Sequence, residues 1–195
     1  MGSNRLEDLT PDTRRVAEKL IQLASLRGIK IKVVSTLRSC EDQAKIYASN
    51  TPEKKVTGAS GCRSWHTWGR AVDVIILDEN GKMVPGSDHK YDELGDIGKS
   101  LGMIWGGNFS WGRDAGHFEY HPGLSINDLC PDSSNEACQE QISKHNAQNS
   151  QPVDVVLVNG AQNSNDLSMS KIIVSALIGS LVYQVINRTL SGGRK

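Results

Sequence analysis

Seven residues, Ala71-Val72-Asp73-Val74-Ile75-Ile76-Leu77, constrain this chain more than any other stretch. The run is apolar at every position but one, rich in β-branched side chains and too short for an ordinary helix. It reads as a central strand covered on both faces. The exception is Asp73. A carboxylate buried without a partner is costly, so the fold must pair Asp73 or bind it to metal. His66 stands seven residues upstream, in the Gly-flanked turn Ser64-Trp65-His66-Thr67-Trp68-Gly69 that leads into the strand.

The neighbouring elements follow from periodicity and turn chemistry. Thr10-Pro11-Asp12 reads as a helix start with a capping threonine and proline at the first helical position. Val16, Leu20, Leu23 and Leu26 recur at helical spacing, and Gly28 ends the run. Residues 29–35 read as a strand. Ser39 and Asp42 form a capping box for a short helix through Tyr47. Residues 50–63 are a loop. Asn80-Gly81 signals a hairpin with 82–84 returning. Residues 91–101 read as a helix, 102–112 as a Gly-rich segment and 117–121 as a strand. The expectation is an α+β domain over residues 1–124, a small antiparallel sheet with flanking helices. A polar linker follows over 125–167, with a short apolar segment at 153–158.

Chemistry concentrates at two places. His66 and Asp73 form the first. The second is Asp114-Ala115-Gly116-His117-Phe118-Glu119. Two imidazoles and one carboxylate (His66, His117, Asp73) make a common catalytic zinc set that leaves a position for water. Zn2+ is the cofactor this set predicts. Asp114 is the candidate general base and later proton donor to a leaving amine. Arg38, just past the first strand, can grip a substrate carboxylate or a developing oxyanion.

Each residue also has a plainer reading. A single histidine is usually structural, Trp65 and Trp68 can simply pack, and Arg38 can cap the following helix. Periodicity leaves a further choice open, because His117, Glu119 and His121 share one strand face. Glu119 or His121 can stand in for Asp114 or His117.

A resemblance favours one assignment. The segment 64–73 matches the pattern Ser-x-His-x-x-Gly-x-Ala-x-Asp at every position. It resembles the zinc peptidases that include D-alanyl-D-alanine carboxypeptidases, vancomycin-resistance dipeptidases and phage L-alanyl-D-glutamate endolysins. The core also resembles the hedgehog signalling domain. The resemblance implies that His66 and Asp73 are zinc ligands. A second family motif, an acidic residue and then a third His ligand, matches Asp114 and His117. The run from Ser35 to Gln43 resembles the family's Arg-containing segment. This implies a substrate or transition-state role for Arg38, a positioning or substrate-binding role for Gln43, and a substrate contact for Ser64. Asp at 114 resembles the phage endolysin and carboxypeptidase branches more than the dipeptidase branch, and Trp105-Gly106-Gly107 followed by Trp111 resembles the endolysins. The implied function is a zinc metallopeptidase acting on peptidoglycan stem peptides, of the L-alanyl-D-glutamate endopeptidase type. A D-alanyl-D-alanine carboxypeptidase is the alternative. A non-catalytic zinc-containing wall-binding or structural module is a further one. The resemblance covers about residues 10–124.

Composition decides among partners. The chain has 195 residues and no formal net charge. Residues 168–195 carry four bases and no acid, leaving 18 bases against 22 acids elsewhere. A slightly acidic body excludes nucleic acid as the main partner. The basic tail contains an apolar helix expected over 172–186. Fifteen residues reach only ~22 Å, short of the ~30 Å hydrocarbon core. It predicts membrane association, or self-association through the small stripe Ser175, Ala176, Gly179, Ser180 and Gln184. The polar first ten residues lack the apolar core of a secretory signal, so synthesis in the cytoplasm and late release to the wall are expected. Cys40, Cys62, Cys130 and Cys138 show no metal-type spacing and are expected as free thiols, with a 130–138 loop able to close in an oxidising space.

Overall fold

The computed structural model describes residues 2–131 and 135–149. Helix α1 (Pro11–Leu26) starts at Pro11, whose missing N–H is no loss there. Thr10 does not cap it through its side chain. Its hydroxyl instead meets Asp12 Oδ1 at 2.7 Å and Thr13 Oγ1 at 2.8 Å. The face of α1 that enters the core carries Thr13, Ala17, Leu20 and Ala24, while Leu26, expected to belong to the apolar stripe, is 77% exposed.

Strand β1 (Lys30–Ser35) leads through residues 36–39 into α2 (Cys40–Ala48). Ser39 Oγ accepts the Asp42 N–H at 3.0 Å, as the expected capping box requires of its first residue. Strand β2 (Ala71–Leu77) has the bounds its apolar run predicts. The 80–84 return after it makes a single bridge, Leu77 to Met83, rather than a second strand. Helix α3 (Lys90–Ser100), strand β3 (Ile104–Trp105) and strand β4 (His117–Glu119) complete the domain.

The result is an α+β fold on a four-stranded sheet of order β1-β2-β4-β3, with antiparallel pairing throughout. Strand β2 is internal, as a run apolar on both faces requires. The main core gathers Leu20, Ala24, Val72, Val74, Ile76, Leu94, Ile97 and Phe118 between sheet and helices.

Helix α3 carries glycines where it meets that core. A Cβ on Gly95 would stand 2.4 Å from Trp105, and one on Gly98 would stand 2.5 Å from Phe118. The two rings therefore lie directly on helix backbone.

Two expectations fail, one of them over residues 125–149. This stretch reads as linker but contains α4 (Ile126–Leu129) and α5 (Asn135–Asn149). The cysteines read as thiols but are paired, Cys40 with Cys62 and Cys130 with Cys138. All four are buried in a second, smaller core with Trp68, flanked by Trp65, Ile126, Leu129 and Ile142. From α5, His145 stands edge-on to Trp68 at 5.6 Å, and its Nε2 accepts from Arg70 Nε at 3.2 Å. The apolar segment 153–158 and the helix over 172–186 lie outside the described residues. Among the described residues no helix is long and apolar enough to cross a membrane.

Candidate active site

Strand register builds the first part of the site. Asp73 pairs with Ser35 on one side and His117 on the other. Directly opposed residues share a sheet face, so hydroxyl, carboxylate and imidazole line up across three strands. A register irregularity in β1 between Val33 and Ser35 brings Ser35 into that row.

His66 arrives from the 3-10 turn Trp65–Trp68. Ser64 Oγ accepts the His66 N–H at 3.3 Å and so caps this turn. Gly69 ends it at φ 63°, a left-handed conformation that a side chain strains. A Cβ there would also crowd Asp8 O at 3.2 Å. The chain can then swing from the histidine into β2 within five residues.

The geometry converges. His66 Nδ1 lies 2.6 Å from the Thr36 carbonyl, and its Nε2 lies 3.1 Å from Asp73 Oδ2. His117 Nδ1 lies 2.8 Å from Asp73 Oδ1. One ligating atom from each of His66, Asp73 and His117 falls within 4.8 Å of the others. Glu119 and His121, open alternatives from periodicity, take up different places. Glu119 Oε1 meets His117 Nε2 at 2.9 Å, on the side of the ring away from Asp73, and Glu119 Oε2 meets His121 Nε2 at 3.2 Å.

Arg38 Nη1 donates to Gln43 Oε1 at 2.6 Å, and Nη2 reaches Ser35 Oγ at 3.0 Å and Asp73 Oδ2 at 3.5 Å. Gln43 is wholly buried and donates onward to Ala59 O at 2.8 Å and Thr57 Oγ1 at 3.2 Å. It holds the guanidinium and the 57–59 loop together. A cavity of about 720 Å³ opens over the site and is lined by Arg38, Ser64, Trp65, His66, Asp73, Trp111, Asp114, His117 and others. Gln43 is not part of that lining, and it meets the site through Arg38.

Electrostatics follow burial and pairing. Burial opposes ionisation of Asp73, but His66 and His117 against it outweigh burial and hold it well below the usual carboxylate range. Burial also disfavours a charged His117, yet its hydrogen bonds to Asp73 and Glu119 push it up to about 10. Glu119 is held down at about 2, its bonds to His117 and His121 overcoming burial. Asp114 behaves oppositely. Burial raises it, and the attraction of His117 does not compensate.

Known proteins resemble this chain over the same region. A family model described as D-alanyl-D-alanine carboxypeptidase matches residues 57–120, which include His66, Asp73, Asp114 and His117. The peptidoglycan L-alanyl-D-glutamate endopeptidase CwlK of Bacillus subtilis (strain 168) is 30% identical over 127 residues, 59% of this chain and 75% of that protein. The L-alanyl-D-glutamate peptidase of Listeria phage A118 is 29% identical over 121 residues, 60% of this chain but only 39% of the phage protein. The solved structure of the Serratia marcescens L-Ala D-Glu endopeptidase ChiX aligns over 63% of this chain and 85% of its own, with 22% identity and a TM-score of 0.45. On 30% identity across 75% of the Bacillus subtilis protein, with a family model spanning both halves of the site, this chain belongs to the D-alanyl-D-alanine carboxypeptidase family of peptidases.

Proposed function

We propose that this chain is a zinc-dependent peptidase that hydrolyses a peptide bond in the stem peptides of peptidoglycan, of the L-alanyl-D-glutamate endopeptidase type. The observation that carries the reading is the convergence of His66 Nε2, Asp73 and His117 Nδ1 beneath an open cavity edged by Asp114 and Arg38. Two nitrogens and one carboxylate oxygen suit zinc, which takes such donors at about 2.0–2.2 Å. The donor set fits in a second way. Each histidine has its far nitrogen engaged, by a backbone carbonyl for His66 and a carboxylate for His117. The two relatives named as L-alanyl-D-glutamate peptidases support the choice of bond.

Zinc held there supplies Lewis acidity to the scissile carbonyl and to attacking water. The remaining work belongs to the chain. Asp114, raised by burial, takes a proton from the attacking water and returns it to the leaving amine. Arg38, held from behind by Gln43, presents its guanidinium to a substrate carboxylate or to the oxyanion of the transition state. Ser64 lines the cavity, where its hydroxyl donates to bound peptide while its oxygen caps the His66 turn.

Digestion of purified muropeptides, read by mass spectrometry beside metal analysis, tests this reading. The expected result is cleavage after L-Ala by the zinc-loaded wild type. Asp114→Ala should keep its zinc and lose turnover, and His66→Ala should lose zinc. Release of terminal D-Ala alone would assign the carboxypeptidase activity instead. Wall binding without any cleavage by the wild type would assign a non-catalytic module.

A further inference from the structure

Both ring nitrogens of His117 are engaged. Nδ1 lies 2.8 Å from Asp73 Oδ1 and so faces the cluster of His66, Asp73 and His117, while Nε2, on the far side of the ring, meets Glu119 Oε1 at 2.9 Å. His66 is arranged in the reverse sense, with Nε2 toward Asp73 at 3.1 Å and Nδ1 against the Thr36 carbonyl at 2.6 Å. A metal held there would be met by a different nitrogen of each histidine, and in each case the protein supplies an acceptor for the nitrogen left over.

Glu119 is itself held. His121 Nε2 meets its second oxygen at 3.2 Å, and the His121 ring stacks on Trp65 with centroids 3.8 Å apart and planes 11° apart. Trp65 precedes His66 in the same 3-10 turn. The contacts close a circuit: His66, Asp73, His117, Glu119, His121, Trp65 and back to His66. The side chains of His117, Glu119 and His121 are 10%, 15% and 13% exposed, so solvent screens these bonds little.

We infer that Glu119 is a positioning residue, locked by His121 against Trp65, that fixes the His117 ring with Nδ1 toward Asp73 and thereby sets the affinity for the metal. This rests on the metal-site reading above. It predicts that removing the acceptor weakens metal binding on the order of 10- to 100-fold, the usual effect of losing an outer hydrogen bond to a ligating histidine.

The test is zinc dissociation measured against a chromophoric chelator for wild type, Glu119→Ala, Glu119→Gln and His121→Ala. Thermal melts of the metal-free forms run alongside. Glu119→Ala should bind about 10- to 100-fold more weakly. Glu119→Gln should stay within about threefold of wild type, because its amide oxygen accepts the same bond. His121→Ala should fall between them. Nitrogen-15 spectra of the zinc-loaded wild type should show His117 protonated at Nε2. The inference is overturned by equal zinc affinity in Glu119→Ala, by a Glu119→Gln loss as large as the alanine's, or by a His117 proton at Nδ1. Failure of wild type to bind zinc at all would overturn the metal reading itself, a distinct result.

Discussion

At the scale of residues, the site divides by how locally it is encoded. His66 and Asp73 are legible because eight residues of one turn and one strand hold both. Asp114 and His117 are legible as a pair only once a resemblance supplies the pattern. Nothing in the linear order says which nitrogen of His117 faces Asp73, so Glu119 reads as a rival ligand until the register places it behind the ring. Asp114 carries a prediction of its own. A base must be ionised to act, and protonation removes it as pH falls. Burial raises its pKa, so that loss comes at higher pH than for an ordinary aspartate at about 3.9. The acid limb of kcat/KM should therefore lie above about 4, and Asp114→Asn should lower kcat by at least about 100-fold. A limb at the ordinary value, measured on a stem peptide across pH, would contradict the assignment.

At the scale of elements, periodicity recovers α1, β1, α2, β2, α3 and β4 to within a few residues because each has one apolar face or run. It misses α5 for a physical reason. That helix is polar around nearly its whole circumference and buries chiefly Cys138, with Ile142 and His145 half-buried on the same side. No apolar stripe announces it. Helix α3 holds a second feature that propensity misreads. Glycine costs a helix about 1 kcal/mol relative to alanine, yet Gly98 leaves room for the Phe118 ring. Gly98→Ala should thus destabilise the protein by about 2 kcal/mol or more despite the better helix former. Urea unfolding measures this, and a stabilised variant would show that the ring has room to move.

At the scale of the whole molecule, the described residues form two cores, one on the sheet and a smaller one around the paired cysteines. The smaller one packs against the turn that carries His66, and the Cys40–Cys62 bond ties that turn's approach to the helix that follows Arg38. Closing a loop of this size restricts the unfolded chain by about 3 kcal/mol. Reduction should therefore lower the melting temperature of the wild type, and Cys40→Ala/Cys62→Ala should already melt lower and respond less to reductant. Equal melting of oxidised and reduced wild type would contradict this. The row of Ser35, Asp73 and His117 has a consequence for how competence arises. A slip of one residue between β2 and β4 would turn His117 to the opposite side of the sheet from Asp73. A mispaired chain then has no weakened version of the catalyst to offer. On the proposed metal site, hydrolytic ability would then arise only with correct zippering of the strands, and a partly folded molecule would spare the bonds the folded one cuts.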